Sequence, residues 1–194
     1  MGEAAKKSKL TYAEYLALEE ASEGRHEFID GEAYAMAGGT SRHAVVGANV
    51  IAALAQALRG RRCFPVAGSQ RIRVPATGGA FYADATVVCD RYVHADDDPD
   101  GLTNPTVIVE VLSPSTQDYD RGEKFEHYRL LPSLQHYLLV TATEQSIQHR
   151  QRTGDGWRIT YHTDGALHLA ALGIDLALDD VYANLDMVDG PAAE

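Results

Sequence analysis

The chain has 194 residues, 45% of them hydrophobic, which is enough for one well-buried core and short for two. Its 28 Asp and Glu outnumber 17 Lys and Arg, for a formal net charge of −11, so a uniformly basic nucleic-acid-binding surface is excluded and any phosphate contacts must come from local clusters. No run approaches the roughly 18 apolar residues of a membrane span and the first residues lack the apolar centre of a signal peptide, so a cytoplasmic protein is expected.

Residues 1–9 are polar and are expected to be a flexible terminus, followed by one domain over 10–188 and a frayed end at 189–194. Thr11 with Glu14 three residues on reads as a capping box for a short helix that ends near Gly24. In HEFIDGEAYAM the Asp30-Gly31 pair predicts a hairpin with Glu27 and Glu32 on opposite arms. Ser41 is placed to cap a helix from about Arg42 to Arg59, whose Val46, Val50, Leu54 and Leu58 recur every four residues as one stripe.

Strands are expected at about Cys63–Val74, Asp84–Cys89 and Thr106–Leu112, separated by the turn-rich stretches PATGG and HADDDPDGLTNP. A helix should start near Asp120 and stop at Leu131, because Pro132 cannot continue it. Strands HYLLVTA, SIQHRQR and WRITYHT and a terminal segment to about Leu185 follow. The fold class is therefore α/β (α+β), a mixed sheet flanked by helices. Cys63 and Cys89 lack ligand spacing and are expected as buried free thiols. Basic residues gather at Arg59, Arg61, Arg62, Arg71 and Arg73, away from the acidic run Asp96, Asp97, Asp98 and Asp100.

Glu110 stands out chemically. Its neighbours Val107, Ile108, Val109, Val111 and Leu112 read as a strand buried on both faces, where an unpaired carboxylate costs several kcal/mol. The carboxyl must be protonated, paired with a cation, or bound to a metal. Asp84 opens a neighbouring strand and shares a face with Thr86 and Val88, whereas Glu110 shares one with Ile108 and Leu112. If those strands pair, the carboxylates come within about 5 Å and repel by about 3 kcal/mol at an effective dielectric near 20. A cation would relieve this, and two carboxylates with open positions suit Mg²⁺ or Mn²⁺. Lys124, one helical turn before Tyr128, is placed to stabilise charge on a metal-bound phosphate. For Asp84 the alternative is a turn carboxylate, for Glu110 a buried ion pair, and for Lys124 a solvated surface lysine.

HEFIDGE, an Asp at a strand start, and VIVEVLSPST followed by D-x-x-x-K-x-x-x-Y together resemble the Uma-type family of restriction endonuclease-like nucleases, in the PD-(D/E)XK superfamily. The resemblance covers about Leu10 to Leu185. It implies a restriction endonuclease-like fold and metal-dependent phosphodiester hydrolysis, with Asp84 and Glu110 as metal ligands and a lysine beside them. Two positions depart from the superfamily pattern: Ala83 replaces a Pro, and Leu112 stands where the usual Lys would be, which makes Lys124 the candidate replacement. Glu27, Glu32, His43, Gln70, Ser113 and Tyr128 are further candidates for the cleft or its surroundings. The expected function is a metal-dependent endonuclease acting on DNA as a homodimer, the twofold matching two antiparallel strands. The alternative is a catalytically inactive nuclease-fold protein that binds nucleic acid or acts as a scaffold.

Overall fold

The computed structural model describes residues 9–36 and 38–189, so residues 1–8 and 190–194 of the expected flexible ends lie outside the described residues. Helix α1 (Tyr12–Ala21) opens with the capping box: the Thr11 hydroxyl accepts from the Glu14 N–H at 3.2 Å, and the Glu14 carboxylate accepts from the Thr11 N–H at 2.7 Å. Strands β1 (His26–Ile29) and β2 (Glu32–Ala35) form the hairpin, its two turn residues Asp30 and Gly31 at φ 49° and 84°. Helix α2 (Ser41–Ala57) is capped by Thr40 rather than Ser41, and Val46, Val50, Leu54 and Leu58 are buried as its stripe requires.

The expected strand over 63–74 is in fact two, β3 (Cys63–Ala67) and β4 (Arg71–Val74), which belong to different sheets. Gly68 marks the crossing, since a Cβ there would sit 3.0 Å from the Ala83 carbonyl oxygen where two backbones nearly touch. Strand β5 (Gly79–Tyr82) returns along β4, and β6 (Ala85–Cys89) pairs with β3. The acidic stretch expected as a loop holds β7 (His94–Ala95) and β8 (Asp98–Leu102), followed by β9 (Pro105–Leu112). Two short helices, α3 (Gln117–Arg121) and α4 (Glu123–Tyr128), precede β10 (His136–Thr141), β11 (Ile147–Thr153) and β12 (Gly156–His162). The hairpin β13 (Ala166–Leu169) and β14 (Ile174–Ala177) and the short helices α5 (Leu178–Val181) and α6 (Asp186–Asp189) end the described chain.

One sheet has the order β12-β11-β10-β9-β6-β3, with β9 and β10 parallel and the other pairs antiparallel; a second has the order β2-β1-β5-β4-β8-β7. This is the expected mixed architecture flanked by helices. Strand β9 is central and buried on both faces from Val107 onward. Val107, Val109 and Val111 pack with the α2 stripe, while Ile108 and Leu112 pack with Phe125, Tyr128, Leu131 and Tyr137. By the two-residue period, Glu110 faces the second layer, beneath α3 and α4.

Two expectations are corrected. Cys63 and Cys89 are direct partners in the β3–β6 register and form a disulfide rather than free thiols, because strand pairing closes the 26-residue separation. Arg71 and Arg73 do not extend a basic cluster: Arg71 grips the fully buried Asp98 through two bonds of 2.6 and 2.7 Å, and Arg73 reaches Asp97 at 2.7 Å. Part of the acidic run is thus matched by charges that β4 brings across the second sheet.

Candidate active site

Ala85 pairs with Val109 across β6 and β9, so Asp84, one residue earlier, stands opposite Glu110. Its orientation is fixed by the Val111 N–H, which donates to Asp84 Oδ2 at 2.6 Å. Thr86 opposite Ile108 confirms that Asp84 and Glu110 share one sheet face.

Lys124 reaches the same place from α4. The helix expected over 120–131 is broken at Gly122, whose N–H is shared between the Asp118 and Tyr119 carbonyls and whose Cβ, were there one, would meet the Asp118 carbonyl oxygen at 3.0 Å. Asp120 and Lys124, on either side of the break, are both buried, only 4% exposed each. Lys124 Nζ donates to the Tyr82 carbonyl at 2.9 Å and lies 2.9 Å from Glu27 Oε1, 3.0 Å from Glu110 Oε1 and 3.8 Å from Asp120 Oδ1. Glu110 Oε1 meets the ammonium at ion-pair distance but off the hydrogen-bonding direction, so it has no hydrogen-bond partner.

Carboxylates outnumber cations here. Glu27, Asp84, Glu110 and Asp120 converge on Lys124 and His43, and His43 Nε2 lies 3.4 Å from Asp84 Oδ2. Burial pushes the Glu110 carboxyl well above its ordinary range; Lys124 pulls it down, while Asp120, Asp84 and Glu27 push it up again. Asp120 is raised for the same first reason, burial. Burial would lower the Lys124 ammonium, but Glu110, Glu27 and Asp120 together hold it above its ordinary value, so it stays charged. The hydrogen bond to Asp84 raises His43, helped by a contact with the Val111 backbone.

These groups line a cleft of about 640 Å³, walled by the β2 end (Tyr34, Met36), the start of α2 (Thr40, His43) and the segment Ser113–Thr116. Ser113 Oγ lies 3.0 Å from Ser115 Oγ and 2.9 Å from Thr116 Oγ1 at its rim.

The chain matches the profile of Uma2, described as “Putative restriction endonuclease”, over residues 12–179. It belongs to the Uma2 family. Two Synechocystis sp. relatives carry the names uncharacterized protein slr1290, 36% identical over 179 residues (91% of this chain, 93% of the relative), and uncharacterized protein sll1609, 34% identical over 152 residues (78% and 86%). A crystal structure from Anabaena variabilis, described as a “putative nuclease” belonging to DUF820, superposes with a TM-score of 0.67 at 15% identity, covering 84% of this chain and 92% of that one. Uma2 membership places the chain in a family described as putative restriction endonucleases, and the superposition shows that it shares the fold of the Anabaena protein.

Within this Uma2 cleft the structure brings together Asp84, Glu110, Lys124, Glu27, His43 and Ser113. It places three other candidates elsewhere. Glu32 is exposed on the outer arm of the hairpin, where it accepts from Tyr34 Oη at 3.1 Å. Gln70 lines a separate hollow beside Glu19, Arg25 and Arg71, its amide donating to the Arg71 and Asp100 carbonyls. Tyr128 is fully buried in the layer behind Lys124, its ring 5.9 Å from the ammonium and its hydroxyl without a hydrogen-bond partner.

Asp120, the Asp of the D-x-x-x-K-x-x-x-Y pattern, and Tyr119 are not among the expected site residues. Asp120 sits four residues before Lys124, a helical pair spacing open to inspection, and is buried beside it. Tyr119 Oη donates to Glu27 Oε2 at 2.8 Å and so joins the hairpin to the helix pair.

Among the described residues no three His, Cys, Asp or Glu side chains form a ready metal cage. The donor set nevertheless suits a hard divalent ion, because Mg²⁺ takes one or two carboxylates and keeps several waters. Asp84 faces the cleft opposite Glu110, and Glu110 retains an oxygen without a hydrogen bond, as such a ligand pair requires.

Proposed function

We propose that the cleft hydrolyses phosphodiester bonds of DNA with Asp84 and Glu110 holding Mg²⁺ or Mn²⁺ and Lys124 beside them. The observation that carries this reading is the meeting of three chain segments at one point: Asp84 opposite Glu110 across two strands, and Lys124 on a later helix 3.0 Å from Glu110. The lysine missing two residues after Glu110 is replaced in space by one from α4. When bound, the ion supplies Lewis-acid polarisation of phosphate oxygens and a more acidic bound water.

The protein residues do the positioning. The Val111 N–H holds the Asp84 carboxylate in one orientation. Lys124 keeps Glu110 in place against three like charges, and its ammonium already sits against the Tyr82 carbonyl, Glu27 and Glu110. Direct contact with a phosphate oxygen therefore requires Lys124 to exchange one partner; the Glu110 contact, lacking hydrogen-bond geometry, is the easiest to release. His43 stands at the cleft mouth, where its proton can be donated to a phosphate or leaving oxygen.

The buried Lys124 also favours a second reading, an inactive nuclease fold in which the same residues form a structural ion-pair network and the protein binds nucleic acid or partners. Metal-dependent stabilisation separates the two. A ligand at 100 times its Kd stabilises by about 2.7 kcal/mol, so Mg²⁺ or Mn²⁺ should raise the melting temperature of the wild type and not that of Glu110→Gln or Asp84→Asn. Equal responses in all three proteins would favour the network reading.

A further inference from the structure

The end of β6 remote from Asp84 carries a surface whose charge opposes that of the whole chain. Residues 59–64 and 90–94 contain Arg59, Arg61, Arg62 and Arg91 against the single acid Asp90 on a chain of −11, with Arg61 held by the Leu172 and Gly173 carbonyls at 2.8 and 2.9 Å. Arg62 is 82% exposed even though it touches Asp90 at 2.9 Å. Beside these cations three rings form a ladder: Phe64 to Tyr92 and Tyr92 to His94 both have centroids 5.7 Å apart, tilted by only 24° and 26°. Phe64 is 42% exposed and the adjacent Val93 51%.

This ledge is held in place. The disulfide ties Cys63, next to Phe64, to Cys89, next to Asp90. Asn104 clamps the turn from both sides, accepting from the Val93 N–H and donating to the Arg91 carbonyl, both at 2.9 Å. Its direction relative to the cleft follows from the register. Val66 pairs with Thr86 and Thr86 with Ile108, so Phe64, two residues from Val66, lies on the same sheet face as Glu110. Five residues of strand separate Asp84 from Cys89, about 17 Å, with Ala85, Thr86, Val87 and Val88 buried between the two ends.

Exposed ring faces next to arginines suit a partner that presents both flat bases and phosphates. A duplex hides its base faces within its own stack, whereas an unpaired strand exposes them. We propose that the ledge built from Arg62, Phe64, Arg91, Tyr92 and His94 binds a single nucleic-acid strand, with bases stacked on the ring ladder and phosphates on the arginines. This rests on the nucleic-acid reading of the cleft and adds the form of the substrate: an unpaired segment.

The test separates the ledge from the cleft. Binding of a fluorescent oligothymidine of about 20 nucleotides, and of a duplex of about the same length, is followed by anisotropy in EDTA, so that stacking and phosphate contacts are read without cleavage. Phe64→Ala should weaken single-strand binding by about tenfold and duplex binding by less than about twofold, while Phe64→Trp should restore it. Arg62→Ala with Arg91→Ala should reduce the slope of log affinity against log salt by about 1.4, from about 0.7 for each lost phosphate contact. Single-strand affinity that is absent, or unchanged in Phe64→Ala and in the double arginine variant, overturns the proposal, as does failure of Phe64→Trp to rescue a loss. Plasmid cleavage by the wild type in Mg²⁺ is scored separately. Cutting without ledge-dependent binding sinks this inference alone, and ledge-dependent binding without cutting sinks only the nuclease reading.

Discussion

Lys124 Nζ lies 3.0 Å from Glu110 Oε1 although the two residues come from a helix and a strand separated by the Ser113–Thr116 turn and α3. The contact sits among Glu27, Asp84 and Asp120, so this one ammonium offsets several buried negative charges.

Removing the cation should therefore cost more than removing the anion. Lys124→Met leaves Glu27, Glu110 and Asp120 without it and should destabilise by about 3–5 kcal/mol, the range for breaking a buried pair. Glu110→Gln should cost less, because burial already pushes that carboxyl toward its neutral form. Urea denaturation at neutral pH checks the order. A Glu110→Gln loss as large as that of Lys124→Met would show that the lysine is held chiefly by Glu110 rather than by the whole cluster.

A second prediction concerns acid. His136 Nδ1 and His149 Nε2 are 2.8 Å apart in the interior, and the Ala171 N–H donates to His136 Nε2. That amide requires His136 to carry its proton on Nδ1 and give it to His149 Nε2, so both rings are neutral, His149 with its proton on Nδ1. Burial lowers both to about 4, and neighbouring histidines add to the shift. Unfolded histidines titrate near 6.5, so between about 6.5 and 4 the unfolded chain binds more protons and stability falls as pH falls. One such histidine is worth at most about 3.4 kcal/mol, and the pair less than twice that because their titrations are coupled. Urea midpoints from pH 7 to 4 should fall more steeply for the wild type than for His149→Gln; parallel curves would show that other groups govern the acid limb.

The disulfide gives a third. Closing a loop of this length should contribute about 3.5 kcal/mol on the chain-entropy account. Reductant should lower the urea midpoint of the wild type and leave that of Cys63→Ser/Cys89→Ser unchanged. A wild type insensitive to reductant, with both thiols alkylated in the folded state, would restore the free-thiol expectation.

Local rules made much of the fold legible. The Thr11–Glu14 box, the Asp30-Gly31 turn and the fourfold stripe of α2 each depend on residues within one turn or hairpin, and all three appear where the spacing places them. The face shared by Asp84 and Glu110 follows from the strand period and from two strands that pair. Features that depend on long-range register were not legible. Cys63 opposite Cys89, Arg71 on Asp98 and the switch of sheets at Gly68 bring together residues that no local spacing links. Asp120 shares the helical spacing of Lys124 and Tyr128, but its burial beside Glu27 and Glu110 depends on how the helices pack on the sheet.

A fourth prediction tests that correction of charge. Arg71→Ala should destabilise the protein by about 3–5 kcal/mol, because it strands the buried Asp98, yet leave the salt dependence of nucleic-acid binding unchanged. A reduced salt slope would return Arg71 to the phosphate-binding surface.

Asp84, Glu110 and Lys124 are proposed to form one hydrolytic site. Its most direct measurement is cleavage of supercoiled plasmid and of branched and single-stranded oligonucleotides in Mg²⁺ or Mn²⁺, comparing the wild type with Asp84→Asn, Glu110→Gln and Lys124→Ala, each shown by melting to be folded. The wild type should cut in a metal-dependent way and every variant should lose at least about 100-fold, the scale of losing one preorganised electrostatic contact. Cutting that survives all three substitutions would contradict this assignment.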